Sequence, residues 1–387
     1  MDACDFLIVG GGPAGSACAW RAVRGGLDTI VLDRSQFPRH KVCGGWITPA
    51  VLESLEIDPR HYAHGRTLQP ITGFRTSCIG SREVEATYGK TVSYGIRRCE
   101  FDDYLLRRSG ARLHLGANLT SLERFSDGWI VNGRFRARMI VGAGGHFCPV
   151  ARFLGADARK EVAVVAQESE FEMDARLRGA CAIRGEVPEL YFCRDMRGYG
   201  WCFRKGDYLN IGLGRLDAHG LPKHVADFVE FLKRTKKIGF DLPSPMQGHA
   251  YLLLRDIRHK IVDDGILLAG DSAGLAYSQS GEGIRPAIES GLMAAQTVLA
   301  ANGDYRAAGL AGYQAHLESR FGNPRGDLAT ELGRRIPVKL LGAISRQLLA
   351  NRWFSRRVVI DRWFLHADQP ALKLQHVTDS DSRASAA

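Results

Sequence analysis

Residues 5–9 (DFLIV) are apolar from the second position on. A run without alternation predicts a short strand buried on both faces, as in a parallel sheet. A helical pattern follows over about 14–24 and stops at Gly25-Gly26, and a second apolar run at 29–32 ends in Asp33. From 161 to 259 the pattern changes. Stretches such as 162–171 and 208–214 alternate apolar and polar, which predicts an antiparallel sheet. A helix is expected over 225–233, and Pro243-Ser244-Pro245 marks the return loop. A further helix is predicted over 286–301, closed by Asn302-Gly303. Past 318 the chain reads as helical again, with Val338, Leu341, Ile344 and Leu348 along one stripe.

Between the first two apolar runs lies GGGPAG, with Gly10, Gly12 and Gly15 at G-x-G-x-x-G spacing and Pro13 and Ala14 opening the helix. In such a loop the first glycine allows the tight turn, the second lets backbone approach a pyrophosphate, and the third lets helix and strand pack closely. The helix N-terminus supplies free N–H groups to the phosphate. Asp33 stands 18 residues past Gly15, near the roughly 20 expected for the acid that holds a ribose hydroxyl. Strand, glycine loop, helix and acid together predict dinucleotide binding.

Composition adds few constraints. The chain has 387 residues, 45% hydrophobic and 24% charged, which suits a globular protein of two or three domains. No apolar run of 18 residues exists to span a membrane, and the acidic N-terminus does not read as a secretory signal. Nine scattered Cys without a CxxC pair argue against a disulfide framework or structural zinc and point to the cytoplasm. No metal site is expected. The net charge is +10, and between Arg320 and His366 there are ten Lys/Arg against three Asp/Glu. That stretch reads either as a solvated helical face or as one drawn to anionic lipid headgroups, which would make the protein membrane-peripheral. No nucleic-acid module appears.

Further segments carry a resemblance. Arg98-x-x-Phe101-Asp102-x-x-Leu105, Leu267-Leu268-Ala269-Gly270-Asp271-Ser272-Ala273-Gly274 and Gly281-Glu282-Gly283-Ile284 are similar to elements of the p-hydroxybenzoate hydroxylase-like flavoproteins. Lys41-Val42-Cys43-Gly44-Gly45 and Tyr199-x-Trp201-x-Phe203-x-Lys205-Gly206, followed by Asn210-Ile211-Gly212, resemble elements of the geranylgeranyl reductase family within that superfamily, with Arg204 where that family has proline. The resemblance covers most of residues 1 to about 315. It implies an α/β fold: a Rossmann-like FAD-binding domain of that type, an antiparallel-sheet substrate domain and a helical C-terminal region. The FAD-binding domain would be discontinuous (1–60, 92–158 and 260–318). The substrate domain would comprise 61–91 and 159–259, the helical region 319–378, and a disordered tail 379–387.

By the same resemblance FAD would be held by Gly10, Gly12, Pro13, Ala14, Gly15, Asp33, Arg34, Lys41, Cys43, Gly44, Gly45, Arg98, Ala143, Gly144, Gly270, Asp271, Gly281, Gly283 and Ile284. The helix beginning near Ile284 would aim its positive end at the flavin pyrimidine edge. Stabilising the reduced flavin anion there by roughly 1 kcal/mol raises a two-electron potential by about 20 mV. One departure matters. The superfamily's G-A-D-G reads Gly142-Ala143-Gly144-Gly145, which puts NADPH-driven hydroxylation in doubt.

The expected chemistry is reduction of a carbon–carbon double bond in an apolar, isoprenoid-like small molecule by hydride from reduced flavin. Cys43, beside Lys41, reads either as a partly ionised thiol near the flavin or as a small residue in a tight turn. Tyr199, Trp201 and Phe203 share one strand face and read either as the wall of an apolar substrate cavity or as ordinary core. With no second nucleotide loop, electrons would come from transiently docked NAD(P)H or a protein carrier. The alternatives are a monooxygenase acting on an aromatic or polyketide-like substrate, and a flavin-bound redox sensor. The oligomeric state is not legible.

Overall fold

The N-terminal apolar run lies in the strand Asp2–Val9, where Phe6, Leu7 and Ile8 are fully buried. It pairs in parallel with Phe135–Gly142 on one side and Thr29–Asp33 on the other. Ile266–Leu268 and Arg112–Leu115 extend the parallel core outward. A hairpin, Leu122–Phe125 and Gly128–Val131, hangs antiparallel on Phe135–Gly142. The computed structural model describes residues 1–157, 163–216, 219–253, 259–322 and 338–374; the tail 379–387 lies outside them.

The crossover helix Pro13–Arg24 begins with Pro13, whose missing N–H is an orphan donor at a helix start anyway. It packs against the helix Ile284–Ala300 so closely that a Cβ at Gly291 would overlap the Ala14 carbonyl oxygen. That second helix starts two residues earlier than the pattern suggests, which makes Gly283 its N-cap.

The second sheet has seven strands, in the order Gln247–Leu252, Ala163–Glu172, Tyr208–Arg215, Gly198–Lys205, Glu189–Phe192, Gly73–Cys78 and Val84–Thr87. Its pairings are antiparallel except between Glu189–Phe192 and Gly73–Cys78. Those two strands come from distant parts of the chain, so no hairpin fixes their direction. The helix Leu221–Arg234 covers one face, setting Val225, Phe228, Phe231 and Leu232 on Leu209, Ile211 and Leu213. The opposite face carries Phe74, Leu190, Phe192, Trp201 and Phe203. A small third sheet joins Trp46–Ile47, Ser93–Ile96 and Leu68–Ile71 beside it.

The C-terminal stripe is exposed where its side chains are described. In the helix Val338–Leu349, Ile344 and Leu348 are 43% and 41% exposed, whereas Leu349 is buried. The side chains of Val338 and Leu341 lie outside the described residues. Docking falls instead to Leu349, Val359, Ile360 and Phe364, which pack on the aromatic face of the second sheet. The stretch after them is tied to Ile284–Ala300. Arg285 donates to the carbonyls of Gln369 and Pro370, and Glu289 accepts from both Arg285 and Arg320.

Candidate active site

Between the two larger sheets lies a cavity of about 630 Å³, within the roughly 300–1,000 Å³ range of small-molecule sites. Gly10, Gly12, Pro13 and Ala14 line it, with Asp33 and Arg34 from the end of the second strand. The carboxyl ends of parallel strands at a change of direction are where such sheets bind ligands. Gly10 has φ +115°, and Gly15 is packed so tightly that a Cβ would overlap the Gly10 carbonyl oxygen. Gly15 is not on the cavity wall; it sets the approach of helix to loop from behind. Gly270 does the same on the other side, where a Cβ would stand 3.0 Å from that of Ala14. Every other residue expected at the site lines the cavity: Lys41, Cys43, Gly44, Gly45, Arg98, Ala143, Gly144, Asp271, Gly281, Gly283, Ile284, Tyr199, Trp201 and Phe203.

Polar geometry runs along its length. Asp33 accepts the Gly11 N–H at 2.6 Å and the Ser35 N–H at 2.8 Å. Arg98 pairs with Asp102 through two hydrogen bonds of 2.8 and 2.9 Å, and Arg39 meets the same carboxylate at 3.2 Å. The other terminal nitrogen of Arg39, Nη1, is buried with no hydrogen-bond partner among the described residues. Arg39 stands over Gly12, 3.5 Å from where a Cβ would be. The unsatisfied guanidinium and the side-chain-free backbone form a cradle suited to an anion such as a pyrophosphate.

At the far end the helix Ile284–Ala300 points its N-terminus into the cavity. Glu282 accepts the Arg285 N–H at 2.8 Å, and burial pushes its carboxyl up to about 7. The Ile284 amide also faces that carboxylate. At Gly144, a Cβ would lie 3.2 Å from Cys148 Cα and Sγ. A side chain there would press on Cys148, just before the helix Pro149–Phe153, which would have to yield by a few tenths of an ångström.

The structure corrects one neighbourhood. Lys41 does not serve the Cys43 thiol; its Nζ lies 2.6 Å from His249 Nε2. The cation facing the thiol is Arg98. Burial, and after it Lys41 and Arg98, holds His249 down to about 3, while burial brings Lys41 down to about 8.

Tyr199, Trp201 and Phe203 project from Gly198–Lys205 onto the cavity face, and Cys202 onto the helix face. Phe203 stacks on Trp46 with ring centroids 5.7 Å apart, and Phe364 stacks on Trp46 at 5.4 Å. Trp201 lies across Gly212, where any Cβ would overlap the indole. Sequence reasoning missed Arg39, Trp46, residues 117–120, His249 and Tyr251, all on the wall. His249 and Tyr251 sit two apart on one strand, a period that was available to be read.

Comparison with known proteins agrees with this architecture. A family model described as an NAD(P)-binding Rossmann-like domain matches residues 8–67. A digeranylgeranylglycerophospholipid reductase of Methanothermobacter thermautotrophicus is 28% identical over 348 residues, covering 82% of this chain and 83% of that protein. A menaquinone reductase of Mycobacterium tuberculosis is 30% identical over 321 residues, covering 76% of each. The crystal structure of a geranylgeranyl bacteriochlorophyll reductase-like protein from Thermoplasma acidophilum superposes with a TM-score of 0.77 at 21% identity, over 95% of this chain and 98% of that one. With the glycine loop, the flavin-side helix and the aromatic strand meeting at one cavity, the chain belongs to the geranylgeranyl reductase family and is an FAD-dependent oxidoreductase.

Proposed function

We propose that the chain reduces a carbon–carbon double bond of an isoprenoid-like lipid or quinone tail. The observation that carries this reading is the continuity of the cavity. The phosphate cradle, the helix N-terminus at Gly283 and the wall of Trp46, Tyr199, Trp201, Phe203 and Tyr251 share one space. FAD, when bound, supplies hydride there.

The residues fit that cofactor part by part. Gly10, Gly12, Pro13 and Ala14 present backbone to its pyrophosphate, and Arg39 donates its unpaired nitrogen. Asp33 accepts from a ribose hydroxyl, with Arg34 beside it. Asp271 holds the ribityl chain, and Arg98 and Lys41 supply positive charge between. Ala143, Gly144 and the Gly44-Gly45 turn leave room for backbone approach, and Gly270 sets the packing behind them. Gly283 and the N-terminal end of the helix at Ile284, with Gly281 beside them, meet the pyrimidine edge, where reduction places negative charge. Cys43 stands at the reacting end with Tyr199 and Tyr251.

The aromatic wall excludes water and orients an apolar chain. Each fully buried apolar group of Leu or Phe size is worth about 1.5–3 kcal/mol, which selects greasy substrates without reading polar groups. Electrons arrive from NAD(P)H docking transiently or from a protein carrier. Ile344, Leu348 and the 67%-exposed Trp353, set among basic side chains, would let the protein rest on an anionic bilayer where such substrates reside.

The test is anaerobic. Dithionite-reduced protein is mixed with a geranylgeranyl lipid, and products are followed by mass spectrometry. Gain of two hydrogens per double bond with flavin reoxidation is expected. Hydroxylated product in air, with none reduced anaerobically, would overturn the reading. Replacing dithionite with NADPH or NADH under the same conditions identifies the donor.

A further inference from the structure

Beneath the loop that carries Cys43 lies a buried polar cluster that the cofactor reading does not use. Glu168 and Glu170 come from Ala163–Glu172, Lys205 from Gly198–Lys205, and Asn210 from Tyr208–Arg215. Glu168, Lys205 and Asn210 are each no more than 1% exposed. Burying such groups is costly unless every one is paired, and here they are. Lys205 donates to Glu170 at 2.8 Å, and Asn210 Nδ2 lies 3.1 and 3.3 Å from Glu168 and Glu170.

Their shared partner is the main chain of Cys43. Asn210 Nδ2 faces the Cys43 carbonyl at 3.2 Å, and the Cys43 amide faces the Glu168 carboxylate. Trp201 Nε1 donates to Asn210 Oδ1 at 2.7 Å, which fixes the amide's orientation. Further along the loop, the Ile96 N–H donates to the Gly45 carbonyl at 2.8 Å, and a Cβ at Gly45 would overlap Lys205 Nζ. The carbonyl and the amide of Cys43, in successive peptide units, therefore both meet side chains from the substrate-side sheet. The thiol is left among Arg98, Tyr199 and Tyr251 at the cavity.

We propose that Asn210 and Glu168 are positioning residues for the reduction: with Trp201 they clamp the Cys43 peptide and so fix the thiol against the reacting end of the cavity. This rests on the reading of that cavity as a reductase site. The clamp also links the two halves of the site, since the residue that holds Asn210 is itself part of the substrate wall. A substrate that shifts Trp201 would reach Cys43 through one amide. Around Glu168 stand Lys205, Glu170, His40 at 4.0 Å and, beyond Glu170, Arg97. Its carboxyl is pushed up to about 7 by burial, so the grip on the Cys43 amide changes with pH near neutrality.

The experiment uses FAD-loaded full chain: wild type, Asn210→Leu and Glu168→Gln. Iodoacetamide labelling of Cys43 is timed by peptide mass spectrometry from pH 6 to about 8.5, the ordinary thiol range, beside kcat and KM for the alkene. Asn210→Leu should change the Cys43 labelling rate by roughly threefold to tenfold, the worth of one hydrogen bond. It should lower kcat by a similar factor, with the flavin spectrum unchanged. Glu168→Gln should keep a wild-type rate at the acid end and lose any step near neutrality. Labelling equal to wild type in both variants overturns the clamp, and altered labelling with unaltered kcat overturns its role in the reaction. If Asn210→Leu fails to load FAD, Glu168→Gln decides alone by its pH profile. Failure of the reductase reading shows separately, as absence of alkene reduction by wild type.

Discussion

The sharpest commitments are made by single side chains. Arg39 carries an orphaned buried Nη1, while its Nη2, paired with Asp102, stands beside Gly12, and a charge-assisted hydrogen bond is worth about 1.5–3 kcal/mol. Arg39→Ala is expected to weaken FAD binding roughly tenfold to a hundredfold. Flavin-fluorescence titration of apoprotein reads this directly, with the circular dichroism spectrum unchanged. Protonation gives a second commitment, with two opposite signs. His249 is held near 3 against an ordinary 6.5, so between those values the unfolded chain binds the extra proton. Stability is therefore lost as pH falls from 6.5 towards 3. Glu168 is raised from 4.5 to about 7, so the folded chain holds the extra proton and stability falls as pH rises through that window. In urea titrations of apoprotein, His249→Gln should flatten the acid-side loss. Glu168→Gln should flatten the decline between pH 4.5 and 7. These groups escaped sequence reasoning for one reason. His249 meets Lys41 across 208 residues and Asn210 meets Cys43 across 167, and no local spacing encodes such pairs. The assignment of Lys41 as the cation beside Cys43 failed because sequence neighbours in a turn need not share a direction.

Elements were more legible, because their causes are local. Continuous apolar runs and glycine spacing placed Asp2–Val9, Thr29–Asp33 and the helix Pro13–Arg24, and alternation placed Ala163–Glu172 and Tyr208–Arg215. What periodicity could not supply was which side of an apolar stripe finds a partner. Ile344 and Leu348 lie on the predicted stripe and face out, while Leu349 docks. The helix Ile284–Ala300 shows a second limit of the pattern. It carries Arg285 and Glu289, both at most 2% exposed, on what reads as an apolar element. Glu289 accepts from Arg285 at 2.8 Å and from Arg320 at 2.7 and 2.9 Å, and both arginines also hold the Pro370 carbonyl. Removing the shared carboxylate leaves buried charge uncompensated, which costs about 3–5 kcal/mol. Glu289→Ala is expected to lose stability on that scale in denaturant melts. It should also free residues 369–370, read as earlier proteolysis near the C-terminus. Glu289→Gln should retain part of both.

At the scale of the whole molecule, the C-terminal segment serves two surfaces at once. Its inner residues Val359, Ile360 and Phe364 complete the aromatic face of the second sheet, with Phe364 also 5.4 Å from Tyr199. Its outer face exposes Ile344, Leu348 and Trp353 beside the exposed Arg346, Arg352, Arg357 and Arg362. Among the described residues no helix is long and apolar enough to cross a membrane. Basic residues near an anionic surface contribute about 1 kcal/mol each, and that attraction weakens as salt shortens the Debye length. Truncating the segment would confuse two effects, because it would also strip Phe364 from Trp46 and Tyr199 on the cavity wall. Substitutions on the outer face separate them. Ile344→Ser, Leu348→Ser and Trp353→Ser together should abolish co-sedimentation with phosphatidylserine-containing vesicles. They should leave FAD content intact and also turnover of a detergent-dispersed alkene. Binding by wild type should fall as salt rises from 50 mM to about 500 mM, where screening reaches within a few ångströms. Vesicle binding equal in the triple variant and wild type would remove the membrane role while leaving the reductase site untouched, since the two faces share no side chain.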